Sequence, residues 1–253
     1  MIKVVLLGAG NLAHHLFKVF EASKGIEIVQ VFNHHEKKLK AFADKVATTT
    51  LISEIKEADF YLISVKDDAI AEVSSQLQAN KNIVLHTSGA VDINILAKHS
   101  NFGVFYPLQS FSKEKEVDFS QIPICIEANS EENFKKIRQL ALQISASVYN
   151  ISSKQRRISH VAAVFANNFS NFMLSKASEI CEKHEIPFDI LKPLIEETFQ
   201  KIKKVSPKEA QTGPARRNDK KTMVAHLEYL DEDQQKLYKT ISEAILKSYG
   251  KEL

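Results

Sequence analysis

Hydrophobic and polar positions alternate along the first 150 residues in two distinct rhythms. Ile2 to Leu7 and Ile26 to Phe32 predict the first two strands, and Phe60 to Val65 and Ile83 to Leu85 are short, continuously apolar runs. Such runs suit strands buried on both faces of a parallel sheet. Phe102 to Tyr106, Ile122 to Ile126 and Ser147 to Ile151 predict three further strands. Between them lie helical patterns. Leu12 to Ala22 places Leu12, Leu16, Val19 and Phe20 on one face, and Glu36 to Val46 reads as a charged helix carrying Leu39, Phe42 and Ala43. Asp67 is placed to cap a helix over Ala69 to Leu77, and Glu131 to Ile144 predicts another. Strand and helix alternating in this way predict a doubly wound α/β sheet.

The rhythm changes near residue 152. From there the periodicity is helical and β-rich runs all but vanish. Gln155 to Lys183, Phe188 to Val205, Asn218 to Leu230 and Asp233 to Tyr249 are the expected helices, separated by Pro187, Pro207 and the Thr212-Gly213-Pro214 turn. The expected organisation is an α/β domain over residues 1–152 and an all-helical domain over residues 153–253.

Composition narrows the field only slightly. The chain has 253 residues and a net charge of +3, with Lys and Arg scattered rather than clustered with aromatics, which argues against nucleic acid as a partner. No apolar run reaches the length of a membrane span, and Met1-Ile2-Lys3 leads straight into the first strand, unlike a signal peptide. A cytoplasmic protein is the expectation. Cys125 and Cys181 lie far apart, match no metal spacing and read as buried free thiols, so no metal site is expected.

The chemistry begins at the end of the first strand. Val4-Val5-Leu6-Leu7-Gly8-Ala9-Gly10-Asn11-Leu12-Ala13 runs from an apolar strand through a glycine turn into a helix, which is the context that gives a dinucleotide-binding fingerprint its weight. Gly8 serves the tight turn, Gly10 lets a pyrophosphate approach the backbone, and Ala13 allows helix and strand to pack closely. Backbone N–H groups at Gly10, Asn11 and Leu12, with the helix dipole, form an anion site. NAD enzymes carry an acidic residue where strand two ends, but here the sequence reads Val31-Phe32-Asn33-His34-His35. Asn33 and His34, with His35, Lys37 and Lys38 nearby, favour NADP over NAD, because a 2′-phosphate is repelled by a carboxylate and attracted by cations.

Ligands of open α/β sheets bind beyond the carboxyl ends of the strands. The polar residues there are Ser64-Val65-Lys66-Asp67, His86-Thr87-Ser88-Gly89 and Tyr106-Pro107-Leu108-Gln109-Ser110. Val65, Lys66, Ser88 and Gly89 are the expected neighbours of a nicotinamide ring, and His86 is a candidate to line the same site. On a regular helix Ile158, Ala162, Phe165, Phe169 and Phe172 share one face, while His160, Asn167 and Asn171 share the opposite one with Asn168 at its edge. His160, Asn167, Asn168 and Ser88 are therefore candidate catalytic residues, His160 as an acid or base. The segment Thr212 to Asp219 adds a turn, and Arg216 there can clamp a carboxylate.

Taken together, the fingerprint, His86-Thr87-Ser88-Gly89, Tyr106-Pro107-Leu108-Gln109-Ser110-Phe111, the Ala162-to-Phe169 segment with Asn167-Asn168, and Thr212-Gly213-Pro214 through Asp219 resemble one group. That group is the Rossmann-like proteins with an uncharacterised C-terminal helical domain, similar to pyrroline-5-carboxylate reductase and the deazaflavin-dependent NADP oxidoreductases. The resemblance implies an NADP-binding oxidoreductase acting on a small molecule, and a homodimer formed through the helical domain. Tyr106 stands where the group often has histidine, and Asn218 where it often has glycine, so a looser turn is expected after Arg217. The alternatives to a reductase of a small C=O or C=N compound are a non-catalytic NADP-binding sensor or partner protein, and a flavin or deazaflavin reductase.

Overall fold

The computed structural model describes residues 1–79 and 81–250; the last three residues of the expected helical domain lie outside that range. The chain forms two compact units, Met1–Ala163 and Val164–Leu253. The first holds one eight-stranded sheet: β1 (Ile2–Leu7), β2 (Ile26–Phe32), β3 (Thr48–Thr49), β4 (Phe60–Ile63), β5 (Ile83–His86), β6 (Phe102–Pro107), β7 (Ile124–Ala128) and β8 (Val148–Asn150). Their order across the sheet is β3-β2-β1-β4-β5-β6-β7-β8. Every neighbouring pair is parallel except β6 and β7.

The apolar runs explain this sheet. All four residues of β4 and of β5 are buried, as expected where both faces are covered. Successive side chains alternate between two cores. Val4 and Leu6 pack with Leu16, Phe20, Phe105 and Ile137. Val5 and Leu7 pack with Ile63, Ile70, Val84 and Leu96. The first core is covered by α1 (Asn11–Ala22) and α4 (Glu131–Leu142), the latter capped by Ser130, whose hydroxyl accepts from the Asn133 N–H at 3.2 Å.

Two expected helices differ. Only Glu36–Leu39 (α2) is helical in the charged segment; beyond it, Phe42 and Lys45 N–H groups bond three residues back, to Leu39 and Phe42. Leu39 and Phe42 are buried all the same, so burial is met by turns instead of a long helix. Asp67 caps nothing through its side chain. It opens a 3-10 turn, Asp67–Ala69, and α3 (Ile70–Gln76) follows.

A buried ion pair fixes the end of this unit. Helix α5 (Ser153–Ala163) begins over the sheet, and Arg156, 1% exposed, donates from Nη1 to Glu127 Oε2 on β7 at 2.6 Å. Its Nη2 donates to the Val91 carbonyl at 2.5 Å and to Ser153 Oγ at 3.1 Å. Ser153 in turn donates to Glu127 at 2.7 Å and accepts from the Ile93 N–H at 3.0 Å.

The second unit is helical: α6 (Ser170–Lys183), α7 (Lys192–Lys201), α8 (Pro207–Ala210), α9 (Pro214–Arg217), α10 (Lys220–Leu227) and α11 (Glu232–Ser248). It starts with a π-helical segment, Val164–Phe169. Wider turns advance each residue by less than 100°. The regular count that set His160, Asn167 and Asn171 on one face therefore does not hold through this segment. The turn after Arg217 is not loosened. Asn218 adopts the left-handed conformation (φ 59°), and its N–H closes onto Ala215 and Pro214. Asparagine is among the non-glycine residues that best tolerate that region. The unit's own buried cluster is small: Ala215, Met223 and Leu246.

Removing one partner of a buried pair strands the other charge, so Glu127→Ala should cost about 3 kcal/mol in urea denaturation. Lys136→Ala, at an exposed pair with Glu132, should cost less than about 0.5 kcal/mol. Equal costs would mean that the buried pair contributes no more than the exposed one.

Candidate functional site

The strand order reverses direction between β1 and β4, and a cleft of about 560 Å³ opens at the carboxyl ends of the strands there. Such a switch point is where open α/β sheets take ligands. Gly8, Gly10, Asn11 and Leu12 line one wall, Asn33, His34, His35 and Lys38 a second, and Val65, Lys66, Asp67, Thr87 and Ser88 the far side.

The glycines do different work. Gly8 has φ +130°, and a Cβ there would sit 2.1 Å from the Ser64 carbonyl oxygen. Gly10 has ordinary dihedrals, and a Cβ there would meet nothing within 4 Å. It faces open space in the cleft. Gly10 is also the N-cap of α1, with no side chain satisfying the first N–H groups, which leaves them to an anion. The Asn11 side chain is used elsewhere, donating to the Phe111 carbonyl at 2.9 Å, and His15 Nε2 donates to the Ser112 carbonyl at 2.8 Å. Both bonds hold the loop after β6 against α1.

No carboxylate stands at positions 33–35, directly after β2. Asn33 Oδ1 accepts the His35 N–H at 2.9 Å, leaving its amide Nδ2 to donate. The rings of His34 and His35 stand 4.2 Å apart. Among the described residues Asp67 is the one acidic residue lining the cleft, against Lys38 and Lys66.

Beyond Ser88, three residues meet at the ends of β5 and β6. Tyr106 Oη lies 3.2 Å from His160 Nδ1, and a Cβ on Gly89 would come within 2.8 Å of the tyrosine ring and 2.9 Å of that nitrogen. Burial raises the Tyr106 phenol above its ordinary pKa, Cys125 and Asp67 adding to the rise and Arg156 opposing it. Ser88 Oγ accepts from the Ala90 and Val91 N–H groups, both at 3.1 Å, so its hydroxyl hydrogen remains available to donate.

His86 does not line the cleft. It is wholly buried; Nδ1 accepts the Ser88 N–H at 3.2 Å, and Nε2 has no hydrogen-bond partner. Burial, helped by the Arg156 charge, lowers its pKa to about 3. Asn167, Asn168 and Arg216 belong to the helical unit, and neither unit by itself brings them to the cleft residues. Arg216 donates to the Gln211 carbonyl and lies over the Tyr229-containing unit's last aromatic, Tyr249, at 5.1 Å. A second cavity, about 540 Å³, lies within that unit between Met173, Ile180, Leu237, Ile241 and Ile245, with His226 Nδ1 and Tyr238 Oη 2.9 Å apart beside it. The sequence reading missed Tyr106 as a partner of His160, and missed Arg156 and Glu127 altogether. Both thiols are buried. Among the described residues no helix is long and apolar enough to cross a membrane.

Sheet order, glycine turn and cleft together define a Rossmann-type α/β protein followed by a helical unit. Residues 3–89 match the family described as NADP oxidoreductase, coenzyme F420-dependent, and residues 122–245 match the Domain of unknown function (DUF2520). A "putative NADP oxidoreductase" from Bacteroides fragilis is 40% identical, with a TM-score of 0.89, over 96% of this chain and 97% of that one. The chain belongs to this family of Rossmann-like proteins with the DUF2520 C-terminal domain. More distant folds include 1-pyrroline-5-carboxylate reductase from Streptococcus pyogenes (17% identity, TM-score 0.65, 98% and 97% covered) and an imine reductase from Myxococcus stipitatus in complex with NADP+ (13%, 0.66, 98% and 92%). No sequence among curated proteins matches the chain.

The His86 shift has a defined sign. The folded ring stays neutral down to about pH 3, whereas the unfolded ring takes up a proton below about 6.5. Stability should therefore fall as pH drops from about 6.5 toward 3, by at most about 1.4 kcal/mol per pH unit from this group. In thermal melts across that window His86→Gln should show a shallower acid limb; an identical limb would show that His86 does not drive it.

Proposed function

We propose that the chain is an NADP(H)-dependent oxidoreductase that reduces, or forms, a polar C=O or C=N bond in a small molecule. The observation that carries this reading is the character of one cleft from end to end. It has an uncapped helix N-terminus over a glycine turn, then a rim of His34, His35 and Lys38 without a carboxylate after β2. A pyrophosphate fits the first, and a ribose 2′-phosphate fits the second. The name of the Bacteroides relative agrees with it.

NADPH, when bound, supplies the hydride. The backbone of Gly10, Asn11 and Leu12 holds the pyrophosphate. Asn33 and His34 bind the adenosine end, and Val65, Lys66, Ser88 and Gly89 surround the nicotinamide. His160 is the group that polarises the C=O or C=N bond, with Ser88 as the nearer hydroxyl donor. The protein's contribution is position and charge.

We also propose that a second copy of the chain covers the helical unit. Helix α7 buries none of its residues and exposes Leu194 and Phe199, and Ile190 just before it is 63% exposed. The same unit carries the apolar groove lined by Met173, Ile180, Leu237 and Ile241, to which α7 contributes nothing. An apolar helix without a groove and a groove without a helix are self-complementary under two-fold symmetry.

Fluorescence titration should show NADPH binding at least about tenfold tighter than NADH, and Asn33→Asp should reverse the order; tighter NADH binding by the wild type would overturn the NADP assignment. Gly10→Val should melt like the wild type and lose NADPH binding, while Gly8→Ala should lose the fold, its Cβ being driven into the Ser64 carbonyl. Retained binding in Gly10→Val would remove the pyrophosphate from that turn. Light scattering at micromolar concentration should give the mass of two chains, and Leu194→Asp should shift it toward one. A wild-type monomer would sink the two-fold arrangement.

A further inference from the structure

We infer that Tyr106 is a positioning residue that locks the His160 ring in the Nε2–H tautomer, so that Nε2, as a hydrogen-bond donor, is the atom presented to the substrate. The inference deepens the oxidoreductase reading and rests on it for its functional meaning.

Tyr106 closes β6, with its ring packed in the core beside Val104 and Cys125. Its hydroxyl has one hydrogen-bond partner among the described residues, His160 Nδ1. A neutral imidazole carries one N–H and one acceptor nitrogen, and the bond made by one nitrogen decides the state of the other. If Tyr106 donates to Nδ1, the proton sits on Nε2. If Nδ1 instead carried the proton, the phenol oxygen would have to accept it. The hydroxyl hydrogen would then be left buried without an acceptor, which is costly.

The surroundings keep the phenol a donor. Burial together with Cys125 and Asp67 disfavours the phenolate, and Arg156 only partly opposes them. His160 itself is half-buried, and its Nε2 has no partner among the described residues. The pair packs directly against the backbone of Gly89, which leaves no room for a side chain beside either ring. Gly89 directly follows Ser88, which lines the cleft. The arrangement thus turns one nitrogen inward onto a fixed hydroxyl and leaves the other as the only free hydrogen-bonding atom of the ring. A histidine at position 106 could present either a donor or an acceptor to Nδ1; tyrosine in this setting presents a donor.

The test is imidazole ¹⁵N NMR of the full chain at about pH 9, where histidine rings are neutral, with the His160 signals assigned through His160→Gln. The wild type should show a protonated Nε2 and an unprotonated Nδ1. Tyr106→Phe, which keeps the ring and removes the hydroxyl, should let the Nδ1-protonated form appear beside the Nε2-protonated one. A protonated Nδ1 in the wild type, or an unchanged tautomer in the phenylalanine variant, would overturn the inference. Should Tyr106→Phe fail to fold, the wild-type Nδ1 resonance decides: shifted upfield from a free acceptor nitrogen it supports the bond from Tyr106, and at the free value it overturns the inference. Wild-type NADPH titration is read separately: a chain that binds no NADPH ends the oxidoreductase reading, while the tautomer result stands or falls on its own spectrum.

Discussion

The Arg156–Glu127 ion pair is the constraint on which the geometry around the cleft depends. A guanidinium taken out of water is expensive to bury, and a close counter-charge with further hydrogen bonds offsets that cost. Here the carboxylate of β7, the Val91 carbonyl after β5 and the Ser153 hydroxyl at the start of α5 take its two terminal amino groups, while Nε has no partner among the described residues. Those three acceptors lie on three different elements, so satisfying them fixes where α5 begins. His160 is four residues further along the same helix, and residues so spaced share a face. The helix that buries Arg156 therefore also turns His160 toward Tyr106. The same charge reaches back to the sheet, where it adds to burial in keeping His86 neutral and lessens the rise of the Tyr106 pKa.

Much of the fold was legible because strands buried on both faces leave continuous apolar runs, as β1, β4 and β5 do. The antiparallel turn of β7 was not, since an apolar run carries no direction. The segment after β2 misled for a physical reason: Leu39 and Phe42 have helical spacing, and turns of three residues satisfy that spacing as well as a helix does. The π segment at Val164–Phe169 is invisible to any count that assumes 100° per residue. At Asn218 the expected loosening failed because asparagine supplies the left-handed conformation for which glycine would otherwise be needed.

The cleft itself was easier to read than the group next to it. Gly8, Gly10, Asn33, His34, Val65 and Ser88 lie close to strand ends, and strand ends are predictable from the runs. Tyr106 and His160 are 54 positions apart, and Arg156 and Glu127 are 29 apart. Pairings at such separations are set by how α5 packs, which no local pattern states. Nothing local separates Arg156 from its exposed neighbour Arg157, although Arg156 is among the most buried side chains described.

The three glycines near the site show what separates a structural requirement from a ligand's. Gly8 is imposed by the protein alone, through a positive φ and the Ser64 carbonyl against it. Gly89 is likewise imposed, by the Tyr106 and His160 rings. Gly10 is imposed by neither: its dihedrals suit any residue, and a side chain there would have room. A glycine that packing and conformation do not require, at the mouth of an uncapped helix, leaves the backbone there open to approach from the cleft. The fingerprint in the sequence treats Gly8 and Gly10 as equals, whereas in the structure packing and conformation require Gly8 and leave Gly10 open to the cleft.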